Sequence, residues 1–250
     1  MSIGTWLAID TATDIASVAA GHRPGAGSAA SDSGAHVQGA RRHAAEIIRL
    51  VDFTLGRVGV PPRDLEGIVV GDGPGSFTGL RIGWAVVKGL AQEAGLPVVA
   101  VPSLLAAAAG AAVKLGAVPI AAWFDALRGD VYGALYVVHT DRVETLVAPE
   151  VTTVADFVRA APKAPALVVG DGAMRYADAV LEWSGAPPVP LASLPPLAAM
   201  LLSVFPRAGA ARPIDDVSAA EPVYGRPAEA QAKWEARHGR PLPDPSRPAR

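Results

Sequence analysis

The run Ile68-Val69-Val70-Gly71-Asp72-Gly73-Pro74-Gly75-Ser76-Phe77-Thr78-Gly79-Leu80-Arg81-Ile82-Gly83 constrains this chain more than any other stretch. Its apolar, β-branched start reads as a buried strand, its glycines as a tight turn, and Ser76 as the cap of a helix that runs to about Ala94 and ends at Gly95. Gly79, Gly83 and Gly89 lie within that helix. Each costs about 1 kcal/mol relative to alanine. Something must therefore approach the helix closely, either a neighbouring backbone or a partner chain. The turn lacks the Lys-Ser/Thr ending of a P-loop and the third-glycine spacing of a dinucleotide fingerprint. A helix start at Ser76 can still attract an anion, but a plain strand-to-helix connection is the simpler reading.

Upstream, Trp6 to Ile9 and Ile15 to Ala20 read as a hairpin around Asp10-Thr11-Ala12-Thr13-Asp14, followed by a Gly/Ala/Ser-rich loop from Gly21 to about Gly39. A carboxylate, hydroxyls and turn amides at a hairpin tip suit phosphate, so Asp10, Thr11, Thr13, Gly73, Gly75 and Ser76 form a candidate vestigial phosphate site. Ala12 stands where close backbone approach usually needs glycine, and the alternative is a polar Asx-type turn. A helix over about Arg42–Gly56 has the stripe Ala44, Ile47, Ile48, Val51 and Leu55. Opposite it lie His43, Glu46, Leu50, Phe53 and Arg57. A helix apolar on two sides contacts two things, which points to a partner interface. Ser103 is read as the cap of an alanine-rich helix to about Leu115.

The second half echoes the first. Ala121 to Asp125, a turn through Gly129, and Val131 to Val138 repeat the opening hairpin, while Leu167 to Gly172 repeats Val69 to Gly73. Two echoes in the same order indicate two lobes of one duplicated unit: an α/β chain with lobes 1–103 and 104–225 and a tail 226–250. The tail holds six Lys/Arg, three Asp/Glu and five prolines. It reads as solvated, with a short helix over Ala228 to Arg237.

Bulk properties narrow the function. Half of the 250 residues are hydrophobic, enough for a substantial core, and a net charge of −2 gives no global field for nucleic acid. There is no cysteine, which excludes disulfides and thiolate metal sites. The first residues carry no signal-peptide pattern, and Leu104 to Val113 is too short to span a bilayer, so a cytoplasmic protein without membrane contact is expected. None of the five histidines forms an i, i+4 pair, and no G-x-S-x-G elbow is present. Trp123, Tyr132, Tyr136 and Trp183 read as core. No catalytic residue, metal or cofactor is assigned.

Leu7 to Thr13, Gly73 to Gly83, Phe124 to Tyr132 and Glu221 to Arg226 together resemble the TsaB (YeaZ) family, in consistent order over residues 5 to 226. The resemblance implies a two-lobed actin/Hsp70/sugar-kinase (ASKHA) fold. It also implies a non-catalytic subunit in synthesis of threonylcarbamoyladenosine beside the anticodon of tRNAs reading codons that begin with A. The implied partner is the catalytic paralogue TsaD, whose His-x-x-x-His metal motif this chain lacks; the ATPase TsaE joins the complex, and tRNA is met through it. By the same resemblance the first two long helices dock on TsaD as a bundle. That places partner contacts at His43, Glu46, Leu50 and Phe53, and at Gly79, Gly83, Val87 and Leu90. The isolated chain is expected to form a homodimer through that surface. The alternatives are an ATP-dependent small-molecule kinase of the same fold, needing a catalytic aspartate in the cleft, and a metalloprotease, which no ligand cluster supports. Gly225, where the family usually has a bulky apolar residue, is a departure, as are the long glycine-rich loop and the tail.

Overall fold

The computed structural model describes residues 4–22, 32–39, 42–226 and 237–239. The opening hairpin forms as expected: β1 (Thr5–Asp10) pairs antiparallel with β2 (Ile15–His22), Leu7 opposite Ala20. The segment expected to be loop contains a third strand, β3 (Ser33–Gln38), antiparallel to β2. Its sequence, Ser-Gly-Ala-His-Val-Gln, has little apolar signal because it is an edge strand burying only Val37. After α1 (His43–Val58), β4 (Gly67–Gly71) lies parallel to β1. Then α2 (Phe77–Ala94) crosses over to β5 (Val98–Val101), parallel to β4. Gly59 and Gly95 close the two helices in left-handed conformations, φ 71° and 64°, the usual role of glycine at a helix C-terminus.

α3 (Ser103–Leu115) leads into the second half. Hairpin β6 (Pro119–Asp125) and β7 (Asp130–Val138) is flanked by antiparallel β8 (Val143–Thr153). After α4 (Val154–Ala160), β9 (Leu167–Val169) returns parallel to β6. The echo read in the sequence is thus physical: each half is an antiparallel hairpin whose first strand gains a parallel neighbour ending in Gly-Asp-Gly. α5 (Asp171–Arg175), α6 (Ala177–Ser184) and α7 (Leu197–Val204) follow. Finally β10 (Arg212–Ile214) pairs antiparallel with β5. The chain therefore goes back to the first sheet after residue 211, and a boundary at 103/104 does not follow the sheets there.

Three apolar clusters order the layers. α1 and α2 cover the outer face of the first sheet through Ile47, Val51, Trp84 and Val87. α3 and α7 lie between the sheets. α4 and α6 cover the outer face of the second sheet, around Trp123, Phe157 and Val180, with Trp183 stacked on Trp123 at 5.5 Å. The central position of α3 explains its alanines. Ser103 to Ala112 are buried on every side, and a helix enclosed all round is apolar all round. Trp123, Tyr132 and Tyr136 are buried, as expected. Ser103 is not the cap of α3. It occupies the first helical position after Pro102 and turns its hydroxyl elsewhere.

Candidate functional site

The β1–β2 hairpin and the start of α2 are pressed together. Ser76 N–H donates to the Ala12 carbonyl at 2.7 Å, and the Ser76 hydroxyl accepts from Gly79 N–H at 3.2 Å. A Cβ on Gly75 would overlap the Ala12 carbonyl, one on Gly79 the Thr11 carbonyl, and one on Gly83 the Thr11 hydroxyl. The close approach that Gly79 and Gly83 require is made by the molecule's own hairpin. Val87 is likewise enclosed, at 0% exposure.

Asp10 sits beneath this junction at 1% exposure. One carboxyl oxygen accepts from Ala12 N–H at 3.1 Å and the other from the Ser103 hydroxyl at 2.6 Å. Ser103 in turn accepts from Gly73 N–H at 3.3 Å. Burial pushes the Asp10 carboxyl above its ordinary range, against the pull of Ser103, the Ala12 amide and His43. Gly71 leaves room for the carboxylate, since a Cβ there would overlap it. The residues of the expected phosphate site are therefore brought together but largely closed. Asp10, Thr11 and Thr13 are buried, and the Ala12, Ser76 and Gly79 amides are already engaged.

Between the lobes lies a cleft of about 800 Å³. Thr13, Gly75 and Ser76 border it from the first lobe, and Asp125, Arg128, Asp130, Tyr132 and Asp171 from the second. Asp10 is not part of its lining. Asp125 accepts from Leu127 N–H at 2.9 Å and from Arg175 at 2.9 Å, while Asp171 accepts from the Asp125 and Gly172 amides at 3.2 and 3.1 Å. These carboxylates hold the β6–β7 turn in shape. Among the described residues, no three His, Asp or Glu side chains gather where they could hold a metal ion.

A different surface is open. α1 and α2 flank an apolar groove of about 420 Å³ lined by Ile48, Val51, Leu55, Val60, Pro61 and Leu90, with Asp52 and Gly56 at its rim. Ile48 is 59% exposed and Phe53, also on α1, 56%. Among the described residues, no other part of the chain comes within 4 Å of where a Cβ on Gly56 or Gly89 would stand. Among the described residues, these two helical glycines thus meet no close neighbour that would require them.

This geometry revises the sequence-based assignment of partner contacts. His43 is fully buried, its Nε2 3.2 Å from the Asp14 carbonyl, so it belongs to the inner stripe of α1. Gly79, Gly83 and Val87 are sealed beneath the hairpin and sheet. Glu46, Leu50 and Leu90 are half-buried, and Phe53 is exposed. Ile48, assigned to the buried stripe, is exposed, as is Ala44. The inner face of α1 differs from its apolar stripe because two polar residues, His43 and Thr54, occupy inner positions. Val60 and Pro61, which also line the groove, follow the helix rather than lie on it and so carry no helical periodicity.

Two hairpin-led halves closing on a cleft define the actin/Hsp70/sugar-kinase class of fold. A family profile described as TsaD, tRNA N6-adenosine threonylcarbamoyltransferase, matches residues 37–178. The tRNA threonylcarbamoyladenosine biosynthesis protein TsaB of Bacillus subtilis (strain 168) is 32% identical over 199 residues, covering 78% of this chain and 84% of that protein. TsaB of Escherichia coli (strain K12) is 37% identical over 152 residues, 58% of this chain but only 63% of that relative's length. The solved structure of YeaZ from Pseudomonas aeruginosa superposes with a TM-score of 0.67 at 31% identity, covering 80% of this chain and 90% of that one. Another, described as similar to the peptidase YeaZ from the same organism, gives 0.70 at 29% identity, covering 89% and 100%. The chain belongs to the TsaB (YeaZ) family.

Proposed function

We propose that this chain is a non-catalytic subunit that docks on a TsaD-type threonylcarbamoyltransferase through the α1–α2 groove. The observation that carries the proposal is the groove itself, flanked by exposed Ile48 and Phe53. Gly56 and Gly89 support it. Each costs about 1 kcal/mol in a helix and meets no close neighbour among the described residues, which suits close approach by a partner's helices. The names of the TsaB relatives support a role in tRNA threonylcarbamoyladenosine synthesis. The match to a TsaD profile fits a paralogue pairing with its paralogue. In this proposal the complex works in the cytoplasm, recruits TsaE, modifies tRNAs reading codons that begin with A, and brings tRNA to this subunit only through TsaD. The isolated chain covers the same groove with a second copy. A small-molecule kinase of this fold would have to use a cleft aspartate other than Asp10, which is enclosed and outside the cleft lining.

The test is co-expression with TsaD of the same organism, followed by co-purification and a modification assay on tRNA. Full modification by TsaD without this chain, or micromolar Mg-ATP binding with turnover by this chain alone, would overturn the proposal.

A further inference from the structure

The segment that follows β10 does more than end the fold. Asp216 organises a turn by accepting from the amides of Ser218 and Ala219 at 2.9 and 3.2 Å. Val217 and Ala220 pack on the α1–α2 core. The chain next runs along α2: Lys88 donates to the Ser218 carbonyl at 3.1 Å and lies 3.7 Å from the Glu221 carboxylate. Val223 N–H donates to the Asp72 carbonyl at 2.8 Å, and the Tyr224 ring lies 4.5 Å from that of Phe77. These contacts all belong to the first lobe. Two residues later the chain has crossed the cleft, where the Arg226 guanidinium meets the Asp130 carboxylate of β7.

Gly225 makes the crossing possible. Its φ is +70°, and a Cβ there would stand 2.8 Å from the Tyr132 ring of the second lobe and 3.0 Å from Pro74 of the first. A bulky residue would wedge between the lobes; glycine lets the strap lie flat against both. Tyr224 and Arg226 also line the cleft. The lobes also share the apolar core around α3 and α7, which extends to Tyr132 and has Tyr224 packed against it, so the strap adds a polar tie at the edge of that core.

We infer that residues 216–226 form a clasp that holds the two lobes at a set opening, with the Arg226–Asp130 pair as its releasable catch. The first-lobe half is anchored by several independent contacts. The second-lobe half rests on the ion pair and on Gly225 against Tyr132. Both charged side chains of the pair are about a quarter exposed, so solvent and salt can reach the catch, while α2 stays tied to the strap through Lys88. The inference does not depend on which partner occupies the α1–α2 groove.

The chain has no cysteine, so spin labels can be placed on the full-length protein at Arg63→Cys in the first lobe and Glu182→Cys in the second. Electron–electron distance measurements on this pair should give a single narrow distribution. Arg226→Ala should broaden it toward longer distances. Exchanging the charges, Arg226→Glu with Asp130→Lys, should restore the narrow distribution. Lys88→Ala, whose contacts lie within one lobe, should leave it unchanged. An unaltered distribution in Arg226→Ala, or broadening in Lys88→Ala equal to it, would overturn the inference.

Discussion

The same substitution at three glycines of α2 should give three different outcomes. Gly89 is exposed and open, so Gly89→Ala gains helix propensity at no steric cost and should stabilise the chain by about 0.5–1 kcal/mol. At Gly83 the added methyl would overlap the Thr11 hydroxyl. Overpacking of a buried site costs about 1–3 kcal/mol, which outweighs a propensity gain of about 1 kcal/mol; a net loss of roughly 1–2 kcal/mol follows. At Gly79 the obstacle is the Thr11 carbonyl, backbone that cannot turn aside, so Gly79→Ala should lose more. The side-chain origin of the Gly83 conflict makes it reparable: Thr11→Ala should recover most of the Gly83→Ala loss and none of the Gly79→Ala loss. Urea unfolding of the five variants, read as midpoints at constant slope, measures these differences. For a chain of this size each kcal/mol moves the thermal midpoint by about 2–4 °C. Stabilisation by Gly83→Ala equal to that by Gly89→Ala would show that the hairpin does not press on α2, and the assignment of Gly79 and Gly83 to internal packing would fall.

Further outcomes follow from the same geometry. Ile48→Asp and Phe53→Asp, on exposed positions, should leave the unfolding midpoint within about 0.5 kcal/mol yet weaken binding to TsaD at least tenfold by calorimetry, since each apolar side chain is worth about 1.5–3 kcal/mol when covered. Gly83→Arg, by contrast, should impair folding, to be seen as loss of soluble protein or of its cooperative transition. Ser103→Ala removes the hydroxyl that Asp10 accepts from and should cost about 2–3 kcal/mol by urea unfolding. Because burial raises the Asp10 carboxyl above 3.8, the folded chain binds its proton more tightly than the unfolded chain. The contribution of Asp10 to stability is therefore greatest below 3.8 and falls as pH rises through the raised value. Asp10→Asn should flatten the stability curve across that window; an unchanged slope would show that Asp10 is ionised in the fold without penalty.

The sequence by itself determined the duplicated halves, because strands enclosed on both faces must be apolar runs and the Gly-Asp-Gly endings mark where each chain turns away. It also determined the extent of α2, through the Ser76 cap and the Gly95 stop, and the family, through the Gly73–Gly83 run. The helix expected over Ala228 to Arg237 lies outside the described residues except at its end. Tertiary structure alone decided what the glycines are for. A helical glycine signals close approach without saying to what, and the answer differs within one helix: Thr11 for Gly79 and Gly83, nothing among the described residues for Gly89. It also decided the inward face of α1, since His43 and Thr54 are tolerated inside by the hairpin and sheet around them. Edge strand β3 and the return of β10 to β5 were illegible for a shared reason. Short strands with little buried surface carry almost no periodic signal, and their places come from partners distant in the chain.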